Sequence, residues 1–477
     1  MSLLFSPIRL GGMTLPNRIV VPAMVTRLSG EDGLVNDAIR DRYVRFAKGQ
    51  PGLVVVEAMA VHQSKSGPLL RISDDAFVPG LTELAARCHD VSDAKVVPQI
   101  IHFLKVARSG YRQTVDMLSP DDLRAIVSAY AAAAVRARAC GFDGVELHMA
   151  HAYTLSSFLS RHNGRRDAYG GTLENRLRLP SEVLAAVRSA VGADFPIGIR
   201  FVADECIKNG YTQVEAALIA ERFASMGVDY LSLSAGGKFE DAIKKEGEPP
   251  YPYTGYSGDR CMPGSAYPEG ANLHLAAHVR AHLRSRGLAT PVCGSGKIAS
   301  QSFAEATLAD ERVDLIGMAR ALLADPDIPR KWRSGREDTV VRCLYGNVCK
   351  ALDESFRKVT CTLWPKGSLQ APASSDTEPP VWGDGGPALT ATAANGQVVL
   401  AWRPATDNEA LYGYEVLRAE HDGILLHHAS VRGRSTRWED TRVLGGTAYR
   451  YALRPYDLAG NRGALSEAVR VEVPAFS

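Results

Sequence analysis

The sequence predicts an α/β fold, a (β/α)8 barrel of the TIM type, followed by a small all-β sandwich. Over residues 1–320, eight short apolar runs alternate with helical segments. Residues 368–387 are rich in Pro, Gly, Ser and Asp, a composition typical of a linker. From about residue 388 the chain changes to short segments of alternating polar and apolar residues. These observations predict two folded parts joined by a linker.

The barrel strands are predicted from runs that are rich in β-branched residues. Each run is nearly continuous in apolar residues, as expected for a parallel strand that is buried on both faces. The runs lie at residues 18–22, 53–57, 96–100, 144–148, 196–200, 229–234, 290–294 and 313–317. A doubly wound open sheet is the alternative, but no G-x-G-x-x-G motif follows the first run, which favours the barrel.

The clearest helix is predicted after the third run, in "SPDDLRAIVSAYAAAAVRARACG". Ser119 is suited to cap its N-terminus and Pro120 to occupy its first turn. Gly141 is suited to end it. A long helix between two buried strands is the unit from which a (β/α)8 barrel is built.

The second folded part is predicted from "QVVLAWRP", "YGYEVLRAE", "TAYRYALRPYD" and "AVRVEVP". Turn residues separate these segments at the spacing of a β-sandwich. About 90 residues resemble a fibronectin type III domain, with Trp402 in a second-strand position and the pair Tyr449 and Tyr451 before the closing segment. We therefore expect a barrel at residues 1–340, a cysteine segment and linker at 341–382, and an immunoglobulin-like sandwich at 383–477.

Composition excludes several function classes. The 477 residues carry a formal net charge of +2, which gives no general attraction to nucleic acid or membrane. No apolar stretch reaches 18 residues and the N-terminus has no signal-peptide pattern, so we expect a cytoplasmic protein. The eight cysteines include five scattered ones, interpreted as small buried thiols, and do not suggest a disulfide framework. We expect a small-molecule substrate as the partner, and the sequence leaves open whether the chain forms a homo-oligomer.

The motif "HMAHAY" at residues 148–153 follows the fourth predicted strand. In a (β/α)8 barrel the chemistry takes place at the C-terminal ends of the strands, which is where this motif falls. A lone histidine is more often structural than functional. Two imidazoles and a phenol at this position therefore indicate a reactive site: His148, His151 and Tyr153.

Several long motifs, in order, resemble the Old Yellow Enzyme family of FMN-dependent NADH:flavin oxidoreductases. They include "LFSPIRLGGMTLPNRIVVPAM", "FLSRHNGRRDAYGGTLENRLRLPSEVL" and "LIGMARALLADPDIPRKW", and the resemblance covers nearly all of residues 4–335. It extends to the branch related to 2,4-dienoyl-CoA reductase and trimethylamine dehydrogenase. The resemblance implies FMN as cofactor and NADH or NADPH as hydride donor.

The resemblance implies which residues bind FMN. Glycines and an arginine after the seventh and eighth strands suit a phosphate group, although a tight turn with a surface arginine is the plainer alternative. An arginine and a glutamine inside the barrel match the residues that contact the flavin ring, and an internal salt bridge is the alternative there. Val25 stands where relatives carry a polar residue or a cysteine. The complete set is Ala23, Met24, Val25, Ala58, Gln99, Arg200, Gly294, Ser295, Gly296, Ala319 and Arg320.

The resemblance also implies catalytic roles and a reaction. In the ene-reductases of this family the two imidazoles, here His148 and His151, bind an oxygen of an activated alkene and stabilise the charge that develops on it. The flavin delivers hydride to the β-carbon, and the tyrosine, here Tyr153, protonates the α-carbon. Two alternatives stay open. One is a dehydrogenase, desaturase or demethylase acting on an amine or cyclic substrate, and the other is a degenerate flavoprotein scaffold whose sandwich domain binds a partner.

Two departures from the family are visible. Relatives often read "HAGR" where this chain reads "HFLK" at residues 102–105, which predicts an altered pocket wall. In the related branch, four cysteines bind a [4Fe–4S] cluster; here Cys343, Cys349 and Cys361 match the first, third and fourth of those cysteines, and Gly346 occupies the second position. We therefore expect no cluster and three vestigial thiols. A cluster with an unusual fourth ligand and a zinc site are the alternatives.

Overall fold

The computed structural model describes residues 2–64, 67–105, 113–237, 260–372, 378–408, 411–432, 435–457 and 461–475. The chain divides into two compact units, Met1–Ala371 and Pro372–Ser477. Each unit has its own hydrophobic core. The functional motifs of the sequence all fall in the first unit.

The first unit is a closed barrel of eight parallel strands, which confirms the predicted fold. A short antiparallel hairpin, β1 and β2, precedes it, and the barrel strands β3 to β10 then pair in chain order until β10 closes on β3. The strands are β1 (Ile8–Leu10), β2 (Met13–Leu15), β3 (Ile19–Val21), β4 (Leu53–Ala60), β5 (Lys95–Ile101), β6 (Val145–Met149), β7 (Ile197–Val202), β8 (Tyr230–Ser234), β9 (Val292–Ser295) and β10 (Leu315–Gly317).

Helices surround the barrel and pack their apolar faces on its strands. They are α1 (Asp37–Lys48), α2 (Val78–His89), α3 (Pro120–Ala139), α4 (Thr154–Leu159), α5 (Leu173–Val191), α6 (Gln213–Ser225), α7 (Leu273–Ser285), α8 (Gln301–Ala309), α9 (Ala319–Ala324), α10 (Ile328–Arg333) and α11 (Val348–Glu354). Ser119 caps α3 as predicted, in a reciprocal capping box with Asp122. Among the described residues, no helix has both the length and the apolar character needed to cross a membrane.

The barrel interior is organised in levels that the strand register defines. Gln99, Glu146, Gly198 and Tyr230 are register partners on β5 to β8 and form one level. A Cβ atom on Gly198 would lie 2.0 Å from the Tyr230 ring. The Tyr230 phenol therefore occupies space that is open only because residue 198 is a glycine. The tyrosine hydroxyl then reaches Glu146, at 3.1 Å.

The second unit is a β-sandwich, as predicted. A three-stranded sheet (β12, β13, β17) and a four-stranded sheet (β16, β15, β18, β19) share one core, which includes Trp402, Tyr414, Tyr449 and Tyr451. The strands of this unit are β11 (Val381–Trp382), β12 (Thr390–Ala394), β13 (Gln397–Ala401), β14 (Ala405–Thr406), β15 (Leu411–Glu420), β16 (Leu426–Arg432), β17 (Arg437–Asp440), β18 (Ala448–Asp457) and β19 (Val469–Glu472). Its resemblance to fibronectin type III stays a prediction.

The boundary between the units differs from the one expected from the sequence. Residues 341–371 belong to the barrel unit and are not a separate segment. Two buried arginines of α1 explain the difference: Arg42 donates to the carbonyl oxygens of Val359 and Leu369, and Arg45 donates to that of Ala371. Buried guanidinium groups need such acceptors, so this segment completes the barrel unit.

We expect a chain that ends at Ala371 to fold, because the barrel unit contains its own core. Thermal unfolding followed by circular dichroism, compared between this truncation and the full chain, tests the expectation. Aggregation of the truncated chain under conditions where the full chain is monodisperse would contradict it.

We expect Gly198→Ala to destabilise the barrel by about 1–3 kcal/mol, because the new methyl group would overlap the Tyr230 ring. Gly346→Ala is the matched control, since a Cβ atom there would have no neighbour within 4 Å. The control should change the free energy of unfolding by less than about 0.5 kcal/mol. Urea denaturation of both variants measures the two values, and equal effects would refute the explanation.

Candidate active site

A cavity of about 950 Å³ lies at the C-terminal ends of the barrel strands. The predicted site residues come together there with one exception. Those that line it are Ala23, Met24, Val25, Ala58, Gln99, His148, His151, Tyr153, Arg200, Ser295, Gly296, Ala319 and Arg320. The exception is Gly294, where a Cβ atom would lie 2.5 Å from Val313 and 2.8 Å from Leu273. Gly294 therefore allows a helix to pack closely on β9 and does not line the cavity.

One end of the cavity has the chemistry of an anion site. Gly296 has a φ of +136°, a conformation that L side chains rarely adopt, and a Cβ atom there would meet the backbone of Asn272 at 2.8 Å. The hydroxyl of Ser295 is buried and makes no hydrogen bond within the described part of the chain. Arg320, which carries a guanidinium group, lines the same cavity. Backbone N–H groups, an unpaired hydroxyl and a fixed cation are the donors that a phosphate group requires.

Residues after the barrel, together with Pro263 from the segment between β8 and α7, hold Arg320 in place. Its guanidinium donates to the carbonyl oxygen of Pro263, at 2.8 Å, and to the side chain of Asn347, at 2.5 Å. It also lies over the Tyr345 ring, 4.9 Å from the centroid. Sequence reasoning missed Tyr345 and Asn347, because nothing in their local pattern indicates that residues 341–350 fold back onto the strand ends.

The centre of the cavity floor carries a buried polar network. Gln99 donates to the carboxylate of Glu146 over 2.6 Å, and the Arg200 guanidinium donates to the hydroxyl of Ser232 over 2.8 Å. Burial raises the pKa of Glu146, while the charge of Arg200 opposes that shift. The network fixes the Gln99 amide and the Arg200 guanidinium, the two groups predicted to contact the flavin ring.

The two imidazoles of the HMAHAY motif meet in this cavity. His148 is 4% exposed, and its Nδ1 accepts a hydrogen bond from the Ala150 backbone N–H, at 3.2 Å. Its Nε2 lies 3.3 Å from Nδ1 of His151. Burial lowers the pKa of His148 to about 3 and that of His151 well below its ordinary value, with Arg200 adding to both shifts. Both rings are therefore neutral at physiological pH, and each carries one proton.

The backbone at this motif is strained. His151 and Ala152 have φ values of +57° and +58°, in the left-handed region that residues with a side chain rarely occupy. Such strain persists only where the surrounding structure imposes it, and it concentrates at functional sites. The Tyr153 ring follows directly and packs edge-on against His148, with centroids 5.1 Å apart.

Cys261 is a site residue that the sequence analysis placed among the buried structural thiols. Instead it is partly exposed and lines the cavity, with its Sγ 3.2 Å from Nε2 of His151. It lies between β8 and α7, in a long segment without periodicity, so no pattern pointed to it. The departures Phe103, Leu104 and Lys105 also line the cavity and place two bulky apolar side chains and a cation on its wall.

The three clustered cysteines supply only three of the four thiolates that the cluster motif of the related branch requires. Within the described ranges, no group of three or more His, Cys, Asp or Glu side chains is arranged to hold a metal ion. Cys349 lines the cavity, whereas Cys343 and Cys361 do not. Burial raises the pKa of Cys343 and raises that of Cys349 to about 11. The residues present therefore do not fit a [4Fe–4S] cluster, which needs four thiolates.

Comparison with known proteins relates most of the chain to one family. The sequence profile of the NADH:flavin oxidoreductase / NADH oxidase family matches residues 3–124, 106–252 and 269–339. The chain is 32% identical over 430 residues to the NADH oxidase of Thermoanaerobacter brockii, covering 83% of this chain and 62% of that protein. It is 33% identical over 344 residues to the NADPH dehydrogenase of Halalkalibacterium halodurans, covering 69% of this chain and 93% of that protein.

A solved structure supports the fold. The complex of 2-naphthoyl-CoA reductase with 2-naphthoyl-CoA superposes with a TM-score of 0.67 at 24% identity, covering 76% of this chain and 57% of that chain. This likeness concerns the fold alone. The chain spans less of the NADH oxidase, 62% of its length, than of the NADPH dehydrogenase, 93%.

We expect protein purified without oxygen to contain no stoichiometric iron or acid-labile sulfide, because Gly346 offers no fourth ligand. About four of each per chain would contradict this expectation. Gly346→Cys is the informative variant, since the position has open space around it. Cluster formation in that variant alone would show that the site lacks a single ligand.

Proposed function

Because the chain belongs to the NADH:flavin oxidoreductase / NADH oxidase family, we propose that it is an FMN-dependent oxidoreductase that uses NADH or NADPH to reduce an activated C=C bond. One observation carries this proposal. Two neutral imidazoles, with Nε2 of His148 3.3 Å from Nδ1 of His151, lie in one cavity with Tyr153 and Arg200. Such a pair is suited to bind an oxygen atom on which negative charge develops.

The residues of the cavity fit FMN. Ser295, Gly296 and Arg320 would hold its phosphate, and Gln99 and Arg200 would contact the polar edge of its ring. The backbone of Ala23, Met24 and Ala58 would lie along the ring. Bound FMN would supply the hydride that the protein itself cannot provide.

The imidazoles act on the substrate oxygen. Their low pKa values keep them neutral, so each can donate an N–H without carrying a charge of its own. The oxygen of an enone or a nitroalkene becomes more negative as its C=C bond is reduced, and fixed donors stabilise that charge in the transition state more than in the ground state.

Tyr153 completes the reaction as the proton donor. Tyr153 is the N-cap residue of α4, and its phenol lies next to His148 in the same cavity. A phenol placed beside the α-carbon would protonate it after hydride has reached the β-carbon. The amine-oxidising alternative would need electrons to flow from the substrate to the flavin. Family members of that kind carry a Tyr-x-x-His pattern at this site, whereas this chain has His148 in the first position.

We expect the purified chain to be yellow, with flavin absorbance near about 450 nm, and to release FMN on denaturation. Arg320→Ala should weaken FMN binding, because the phosphate would lose a charge-assisted hydrogen bond. Fluorescence titration of the FMN-free protein measures the dissociation constant. Colourless protein that FMN cannot reconstitute would refute the proposal.

We expect His148→Ala or His151→Ala to raise the barrier to alkene reduction by about 3 kcal/mol, the usual effect of losing one donor to a developing oxyanion. Tyr153→Phe should slow protonation and leave substrate binding intact. Stopped-flow measurement of the two half-reactions separates these effects, since flavin reduction by NADH or NADPH should change little. Wild-type rates of alkene reduction in all three variants would rule out the assigned roles, and amine oxidation without alkene reduction would favour the dehydrogenase alternative.

A further inference from the structure

Ser234, the last residue of β8, lies directly beside the second imidazole. Its hydroxyl is 2.8 Å from Nε2 of His151 and 3.7 Å from Sγ of Cys261. The serine is 6% exposed. His151 is therefore held on the side away from His148 by a hydroxyl that is able both to donate and to accept a hydrogen bond.

The contacts determine where the protons lie in this arrangement. The Ala150 N–H donates to Nδ1 of His148, so the single proton of that neutral ring is on Nε2. This Nε2–H faces Nδ1 of His151, which accepts, at 3.3 Å. His151 then carries its own proton on Nε2 and donates it to Ser234, whose hydroxyl donates toward the sulfur of Cys261.

This arrangement offers a substrate oxygen only one imidazole donor. His151 can become the second donor only if its proton is on Nδ1, the nitrogen that faces His148. Its Nε2 must then accept a hydrogen bond. Within the described part of the chain, the groups next to that nitrogen are the hydroxyl of Ser234 and the thiol of Cys261. Of these, the hydroxyl is the stronger donor.

The backbone that carries His151 is tightly packed. The ring is attached to the left-handed turn at His151 and Ala152. The chain beyond β8 packs tightly on this turn, since a Cβ atom on Gly237 would lie 3.1 Å from the Cα atom of His151. The ring itself is held between His148 and Ser234, so we take the position of its proton as the variable that responds to a ligand.

We propose that Ser234 is a positioning residue that selects the tautomer of His151, so that the His148 Nε2–H and the His151 Nδ1–H converge on one substrate oxygen. The inference rests on the proposed function of the site. With substrate bound, the Ser234 hydroxyl turns from Cys261 to Nε2 of His151. The ring keeps one proton throughout, and exchange with water before binding interconverts the two tautomers, from which the substrate selects one.

Three variants test this inference in the full chain reconstituted with FMN. Ser234→Ala removes the hydroxyl, Ser234→Thr keeps it, and Cys261→Ala removes only the neighbouring thiol. Nitrogen NMR of protein with ¹⁵N-labelled histidine reports the tautomer of His151 with and without cyclohexanone, a ketone that cannot be reduced at a C=C bond. Steady-state reduction of 2-cyclohexenone reports kcat and KM separately.

In the wild-type chain and in the Ser234→Thr and Cys261→Ala variants, cyclohexanone is expected to shift His151 from the Nε2–H to the Nδ1–H tautomer. In Ser234→Ala the shift should be lost and kcat should fall at least about tenfold, because one of two donors to the oxygen is missing. The rate at which NADH or NADPH reduces the flavin should stay unchanged, which a general loss of structure would not allow.

Two results would overturn the inference, and they are distinguishable. If the wild-type chain reduces 2-cyclohexenone, and Ser234→Ala matches it in kcat and in the tautomer shift, the role of Ser234 is wrong while the proposed function stands. If the wild-type chain reduces no activated alkene, the proposed function fails and the inference fails with it.

Discussion

Closure of the parallel barrel is the constraint on which the rest of the structure depends. β10 pairs with β3 through only two register pairs, Ile316 with Ile19 and Gly317 with Val20. A closed parallel barrel directs all its C-terminal strand ends to one rim. Residues separated by almost 300 positions in the sequence, from Ala23 to Arg320, consequently line one cavity.

Burial within the closed barrel also governs the charges at the site. A carboxylate in the interior would be costly without partners, and Glu146 obtains them from Gln99 and Tyr230 on the same level. Arg200, one level closer to the rim, opposes the upward shift of the Glu146 pKa and lowers the pKa values of both imidazoles. One buried cation thus contributes to the ionisation of the carboxyl below it and to the neutrality of the histidines beside it.

The sequence predicted the barrel, and most of the residues that it proposed for the site line one cavity. The eight apolar runs, the Ser119 cap and the family resemblance, which the profile match confirms, all depend on local patterns. The structure differs from the predictions where the local sequence pattern does not determine tertiary contacts. A strand that is apolar on both faces does not reveal which of its residues face the cavity, and Gly294 is the one predicted cofactor residue that does not line it. Cys261 and Asn347 reach the site through the tertiary folding of segments without periodicity. The observed boundary between the units differs from the predicted one because Arg42 and Arg45 bind carbonyl oxygens more than 300 residues away.

The left-handed pair at His151 and Ala152 has a consequence for how this protein can change. Glycine or asparagine would adopt that conformation at lower cost, so selection for thermal stability alone would favour replacing both residues. Replacement of the first would remove the imidazole, whereas replacement of the second would leave it in place. In laboratory evolution for heat resistance, a substitution of His151 should therefore gain stability at the expense of turnover. A substitution of Ala152 should gain stability without that loss.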